Sequence, residues 1–298
     1  MAESVSSVKV ICGDALESLR TLEDQSVNTC VTSPPFWGLR DYGVKGQMGL
    51  EPTPEEYVEN MVGLFREVRR VLRDDGTLWI NLGDIYKRDK QLTGMPWRVA
   101  FALQEDGWYL RQDIIWHKPN PMPESVANRC TKSHEYIFLL SKNRSYYYDN
   151  ESIKEKSKDS WNSYKGFAQV SPRQKNVSEE QRARQRTQMG ISHHDNVKKT
   201  GRNKRSVWTV NTNHNPGAHF ATYPPNLIRP CILAGCPEGG TVLDPFAGSG
   251  TTGQVAAHNQ RDALLIELNS EYVSIIEKRL GNDMFIDLDV EHLSSMRC

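Results

Sequence analysis

TVLDPFAGSGTTGQVAA, residues 241–257, is the stretch from which the fold can be read. A short apolar run ends at Asp244, glycines follow at 248, 250 and 253, and a helix-forming sequence opens around Thr251. The glycines spell G-x-G-x-x-G, a weak pattern alone. A strand before it and a helix after it give it meaning, because such a turn lets the backbone approach a bound ligand closely. Roughly 20 residues further on, ALLIELN (263–269) ends a second apolar run at Glu267, where an acid is suited to accepting hydrogen bonds from ribose hydroxyls. Only about 45 residues follow the loop, too few to complete a nucleotide-binding sheet. The other strands must come from the N-terminal part of the chain, so their order is permuted.

Those strands read as VKVIC (8–12), NTCVTS (28–33), TLWINL (77–82), YLRQDIIW (109–116) and EYIFLLS (135–141), which with TVLDP (241–245) and ALLIEL (263–268) make seven. Helical patterns lie between most of them: ALESLRTL (15–22), 54–76, WRVAFALQEDG (97–107) and PPNLIRPCILAG (224–235). The clearest is 54–76, with Pro54 and two glutamates in its first turn, Gly76 at its end, and Val58, Met61, Val62, Phe65, Val68, Val71 and Leu72 as one apolar stripe. Strands 109–116 and 135–141 are joined by a Pro-rich loop instead of a helix, so they are expected to pair antiparallel. Alternation elsewhere predicts a parallel α/β sheet with helices on both faces.

At 298 residues the chain can bury a substantial core, as one large domain or one and a half. No run is apolar and long enough to cross a membrane, and the first residues carry no signal-peptide pattern. Six scattered cysteines form neither a disulfide framework nor a zinc motif, which points to reduced thiols and a cytoplasmic setting. His193 and His194 read as solvated loop residues, so no metal is expected. The net charge of zero hides an asymmetry: residues 151–208 carry a net +8 and the remainder −8. A compact basic block suits a polyanion, although a solvated insert accounts for the charge equally well.

TSPPFWG (32–38) is the other informative stretch. Two prolines stop the strand near Ser33. They leave a stiff corner carrying a hydroxyl, free carbonyls and the rings of Phe36 and Trp37. A structural turn and a clamp for something flat both fit these residues. As to the glycine-loop ligand, a nicotinamide dinucleotide and S-adenosylmethionine both bring an adenosine. The permuted order, and Asp244 abutting the loop, favour a ligand with an amino group and a sulfonium cation over a pyrophosphate.

TSPPF and DPFAGSGTT, in that order, resemble the motifs of the β-group of S-adenosylmethionine-dependent DNA amino-methyltransferases. The resemblance runs over nearly the whole chain: GDALESL (13–19), DDGTLWINLGD (74–84) and HFATYPPNL (219–227) also have counterparts, and the basic block falls where the family keeps its target-recognition region. It implies an α/β Rossmann-like methyltransferase sheet of seven strands, circularly permuted, with one antiparallel strand and a basic insert. The implied parts are a catalytic part (1–149), a recognition insert (150–208) and a cofactor-binding part (209–298). Ser33, Pro34, Pro35 and Phe36 would be the catalytic corner. Ser33 Oγ and the Pro34 carbonyl would accept the amino hydrogens of a base flipped out of double-stranded DNA, with Phe36 stacked on it. Asp14, Phe220, Thr222, Asp244, Phe246, Gly248, Gly250, Thr251 and Glu267 would hold S-adenosylmethionine. Trp37, Arg40, Arg182, Arg184, Arg186, Lys198, Lys199, Arg202, Lys204 and Arg205 would meet DNA. Serine at the first motif position goes in this family with N4 of cytosine, aspartate with N6 of adenine. A cognate restriction endonuclease is the functional partner such an enzyme can have. A carbon-5 cytosine methyltransferase would need a nucleophilic cysteine, and Cys231, inside the expected helix 224–235, reads as structural. A nicotinamide-linked dehydrogenase would leave TSPPF unexplained, a protein-glutamine methyltransferase would carry Asn in place of Ser33, and a non-catalytic DNA-binding protein would not need Ser33, Phe36, Asp244 and Glu267 intact.

Overall fold

Each of the seven apolar runs forms a strand, and all lie in one sheet. A computed structural model describes residues 5–87, 89–156, 201–212 and 223–293. Among these the strands are β1 (Ser6–Cys12), β2 (Val27–Thr32), β3 (Leu72–Leu82), β4 (Tyr109–His117), β5 (His134–Ser141), β6 (Val207–Thr209), β7 (Thr241–Asp244), β8 (Asp262–Glu267) and β9 (Ile286–His292). Their order across the sheet is β6-β4-β5-β3-β2-β7-β8-β1-β9. Only β5 is reversed, pairing antiparallel with both β3 and β4. Every other neighbouring pair is parallel.

The described strands number nine, two more than expected. β6 has three residues, too short for a periodic signal, and extends the β4 edge. β9 alternates Ile286, Leu288 and Val290 with acidic residues, the pattern of a half-buried edge strand.

The helices are α1 (Ala15–Thr21), α2 (Pro54–Val71), α3 (Met95–Glu105), α4 (Pro225–Gly235), α5 (Thr251–Ala257) and α6 (Ser270–Leu280). The Thr53 side chain caps α2 by accepting from the Glu56 amide. That helix stops at Val71, not at Gly76. Leu72 is already extended (φ −68°, ψ 139°) and pairs with Val27, so sheet pairing overrides the helical pattern.

Strand residues alternate between two cores. Cys30, Leu78 and Ile80 face α1, α2 and α3, where Met61, Phe65 and Val68 are fully buried. Val31 and Trp79 face the other way, toward Leu227, Ile232, Val255 and Ile276 of α4, α5 and α6. Side chains of this size contribute about 1.5–3 kcal/mol each on full burial, and Phe65→Ala would cost about 3–5 kcal/mol.

The connection after β2 leads to β3, toward the β6 edge, whereas the connection after β7 leads to β8, toward the β9 edge. β2 and β7 are neighbours, so the chain direction reverses between them. In open α/β sheets a crevice forms at such a switch point, outside the carboxyl ends of the strands. The two motifs read from the sequence leave the ends of these two strands.

By its contacts the chain divides into two units, Met1–Ile153 with Arg205–Cys298, and Lys154–Lys204. The first holds the sheet. In the second, the described residues include an antiparallel bridge between Glu155 and Arg202, whose side chains form an ion pair at 3.0 Å.

Candidate active site

The register of β2 against β7 pairs Thr29 with Val242 and Cys30 with Leu243. Thr32 and Ser33 therefore emerge beside Asp244 and the glycine loop. β8 lies next, with Leu265 opposite Asp244, and then β1, with Cys12 opposite Glu267. Ser33, Asp244, Gly248, Glu267 and Asp14 are thus gathered on one edge of the sheet from distant parts of the chain.

The Pro-Pro corner is held from several sides. Ser33 Oγ donates to Asn81 Oδ1 at 3.2 Å. Asn81, at the end of β3, donates in turn through Nδ2 to Glu135 Oε2 and to the Tyr136 carbonyl, each at 3.1 Å. Glu135 is paired with Lys118, whose ammonium lies 4.3 Å from the Trp116 ring centroid. The Asn81 amide has one orientation in this setting. Its donor end is taken by two acceptors, so its oxygen faces Ser33. The single Ser33 proton is engaged there, and the lone pairs of Oγ remain as acceptors. Pro34 is buried. The Pro35 carbonyl accepts from Tyr57 OH at 2.9 Å.

The Phe36 ring packs against the Gly83 backbone. A Cβ at position 83 would fall 2.5 Å from the ring, so glycine is required for this approach. Trp37 is part-buried against the α2 core and donates its indole N–H to the Glu51 carbonyl at 2.9 Å.

Across the switch point, Asp244 is fully buried. Oδ1 accepts from Thr32 Oγ1 (2.7 Å) and the Phe246 amide (3.1 Å); Oδ2 accepts from Tyr223 OH (2.7 Å) and Thr252 Oγ1 (2.5 Å). Burial pushes its carboxyl above the usual range, and these hydrogen bonds pull it back. Glu267 differs. It accepts from the Gly248 amide (2.7 Å), the Asn269 amide (2.9 Å) and the Leu268 amide, and burial pushes it up to about 7. Two carboxylate oxygens can accept about four hydrogen bonds, so capacity remains for a ligand. Gly248 has φ +52°, and a Cβ there would meet nothing within 4 Å, leaving open space beside Glu267.

Of the remaining expected cofactor residues, Asp14 caps α1 through the Glu17 amide at 2.9 Å. Phe246 packs on the α2 core. Thr251 is buried, its hydroxyl accepting from Arg279 at 3.1 Å, and Gly250 adopts φ 78° at the α5 cap. Phe220 and Thr222 lie outside the described residues. Arg40 lies where its charge is felt by Tyr42 and Tyr272, both also influenced by Glu267. Arg182, Arg184, Arg186, Lys198, Lys199, His193 and His194 lie outside the described residues. Arg202 and Lys204 belong to the second unit. Arg205 belongs to the first, and its carbonyl accepts from the Trp208 indole at 2.6 Å.

Neither cysteine near the site is placed as a nucleophile. Cys30 is buried in β2 with its thiol pushed well up by burial, and Cys231 is buried in α4 with its thiol toward the Leu227 carbonyl. Among the described residues no cluster of metal-ligating side chains occurs, and no helix is long and apolar enough to cross a membrane. The sequence reading missed Asn81, Thr32, Tyr223 and Thr252. The available signal was a polar residue interrupting the apolar run TLWINL, and hydroxyl residues flanking each motif.

The chain is 44% identical over 308 residues to the type II methyltransferase M.SmaI of Serratia marcescens, covering 94% of this chain and 93% of that one. It is 46% identical over 299 residues to the type II methyltransferase M.Cfr9I of Citrobacter freundii, covering 91% and 87%. Among solved structures, the PvuII DNA methyltransferase (cytosine-N4-specific) shares the fold with a TM-score of 0.67 at 19% identity, covering 94% of this chain and 89% of that one. A putative DNA modification methylase from Thermus thermophilus, solved with S-adenosyl-L-methionine, gives 0.61 at 25% identity, covering 94% and 98%. The sequence model of the N6/N4 DNA methylase family matches residues 27–278, and the chain belongs to that family.

Proposed function

We propose that the chain transfers a methyl group from S-adenosylmethionine to the exocyclic N4 of a cytosine flipped out of duplex DNA, by direct in-line attack and without a covalent enzyme intermediate. The observation that carries this is the Ser33–Asn81 hydrogen bond. An exocyclic amine is a poor nucleophile because its lone pair is delocalised into the ring. Accepting hydrogen bonds from both of its hydrogens draws the nitrogen toward tetrahedral geometry. Ser33 Oγ, with its own proton committed to Asn81, is left as an acceptor, and the Pro34 carbonyl is the second. Asn81 is an amide and takes no proton, so Ser33 works as an orienting acceptor and not as a base; the N–C bond forms as the methyl's bond to sulfur breaks, and the proton that the methylated nitrogen sheds passes to water. Phe36, fixed on Gly83, holds the plane of the base.

The residues on the other side of the switch point suit S-adenosylmethionine. Glu267 has acceptor capacity for ribose hydroxyls, and Gly248 leaves room beside it. When bound, this cofactor supplies an electrophilic sulfonium methyl group. The role of Asp244 is to hold the loop that receives it. Fixing the two reactants at adjoining strand ends can account for a large part of the acceleration, up to about 7–11 kcal/mol in favourable cases.

The parts 1–149, 150–208 and 209–298 are then a catalytic part, a target-recognition insert and a cofactor-binding part. The basic residues of the insert, Arg182, Arg184, Arg186, Lys198, Lys199, Arg202 and Lys204, contact the phosphate backbone. The likeness to type II methyltransferases supports a restriction–modification setting in the cytoplasm, with a cognate endonuclease as a functional partner.

Incubating the protein with labelled S-adenosylmethionine and duplex DNA, followed by nucleoside mass spectrometry, tests the reading. N4-methylcytosine is expected. N6-methyladenine would replace the base assignment and keep the mechanism, and an unlabelled duplex would overturn both.

A further inference from the structure

We infer that a buried bridge centred on Asp244 sets the separation between the amine-accepting corner and the glycine loop, and that Thr32 and Tyr223 are positioning residues for methyl transfer. The inference rests on the reading of the site given above.

The backbone ladder between β2 and β7 is short. It pairs Thr29 with Val242 and Cys30 with Leu243, and it stops two residues before Thr32. Beyond that point the two strand ends carry the corner and the loop. Asp244 supplies the link that the ladder lacks. Its carboxylate joins four segments: the end of β2 through Thr32, the glycine loop through the Phe246 amide, α5 through Thr252, and the stretch leading into α4 through Tyr223. The Tyr223 and Thr252 hydroxyls also lie against each other, each with its one proton directed to Asp244. Thr32 is adjacent in sequence to Ser33, and Phe246 lies two residues before Gly248. A rotation of either strand end therefore changes both the Asp244 contacts and the distance from Ser33 to the loop.

Burial makes the bridge stiff. Asp244 and Thr252 are fully buried and Thr32 is 1% exposed, so no water replaces a lost partner. Removing one donor leaves a buried carboxylate oxygen short of a hydrogen bond, which neighbouring groups can correct only by shifting. Such shifts matter where two reactants must be aligned, because a displacement of about 1 Å can reduce a rate by about 100-fold. Ser33 and Thr32 thus divide the work of two adjacent hydroxyls. One is turned outward and accepts; the other is turned inward and donates.

The test compares Thr32→Val, Thr32→Ser and Tyr223→Phe with the wild type. Three quantities are measured: the single-turnover methyl-transfer rate, calorimetric affinity for S-adenosylhomocysteine, and amide exchange at Phe36–Leu39 with and without that ligand. Thr32→Val is expected to slow transfer at least about tenfold while affinity stays within about twofold, and Thr32→Ser to restore transfer to within about threefold. Ligand binding should slow exchange at Phe36–Leu39 in the wild type, and this coupling should vanish in Thr32→Val while protection at Gly248–Thr252 persists. Should Thr32→Val fail to fold, Tyr223→Phe, which removes a donor from the other oxygen, carries the same expectations. Wild-type transfer rates in the valine and phenylalanine variants, or rate and affinity falling together, or persistence of the coupling, would overturn the inference. A wild-type protein that binds the ligand and shows the coupling yet methylates no DNA would instead overturn the proposed reaction.

Discussion

The corner after β2 and the glycine loop after β7 leave neighbouring strand ends, but they dispose of their polar groups in opposite ways. At the corner the hydrogen-bond donors are used up inside the protein: the Ser33 proton goes to Asn81 and the Asn81 amide hydrogens go to Glu135 and Tyr136. Acceptors are what it offers outward. Within the loop region the contrast recurs between two carboxylates. Asp244 is fully buried and its partners are mostly side-chain hydroxyls, whereas Glu267 accepts from backbone amides and borders open space at Gly248. The lesson is that motif residues divide into those that meet the ligands and those that hold the motif. In the proposed reaction an acceptor with capacity left marks the first kind and a saturated one marks the second.

Breaking the corner gives the largest expected effect. Ser33→Ala should lower the single-turnover transfer rate about 100-fold or more with ligand affinity unchanged within about twofold, by analogy with the loss of one transition-state hydrogen bond. A parallel loss of affinity would mean that Ser33 holds the cofactor instead. Asn81→Ala should follow, at about 10- to 100-fold, because Ser33 would then be free to turn its proton toward the amine. Its effect should be much smaller in a Ser33→Ala background; additive losses would disconnect the two residues.

On the loop side, Glu267→Gln should weaken S-adenosylhomocysteine about tenfold, measured by calorimetry, since one acceptor becomes a donor facing backbone N–H groups. The pH dependence sharpens the contrast between the two carboxylates. Glu267 titrates at about 7 in the folded protein against 4.5 unperturbed, owing mainly to burial. The folded state therefore keeps this proton longer than the unfolded chain. The group's contribution to stability is present below pH 4.5 and lost as pH rises toward 7. Ribose hydroxyls favour the ionised form, so affinity should rise about tenfold between pH 6 and 8 and become flat in Glu267→Gln. The smallest effect is expected at Trp37. Trp37→Phe removes one hydrogen bond to Glu51, costing about 0.5–1.5 kcal/mol of stability, and should leave transfer within about threefold. A large loss in transfer with DNA binding impaired would return Trp37 to the DNA surface.

Much of the fold was legible because most interior strands are apolar runs closed by Pro, Gly or Asp, and because the late glycine loop forced a permuted order. The lone reversed strand was legible as well, from the missing helix between β4 and β5. Edge strands were not: β6 is too short, and β9 mixes its apolar residues with acids. The end of α2 was misplaced because the apolar stripe runs on through Val71 and Leu72 while Leu72 already belongs to the sheet. At the site, the two motifs were visible as local sequence. Contacts between them were not, since Ser33 meets Asn81 across 48 residues and Thr32 meets Asp244 across 212, and only strand register brings them together.

A structure of the protein with S-adenosylhomocysteine and a target duplex measures the central relation directly. The account predicts a base out of the helix with its exocyclic nitrogen about 2.7–3.2 Å from both Ser33 Oγ and the Pro34 carbonyl, and a ribose on Glu267 across the switch point. A base held with its amine turned away from Ser33, or a ligand bound on the opposite edge of the sheet, would contradict it.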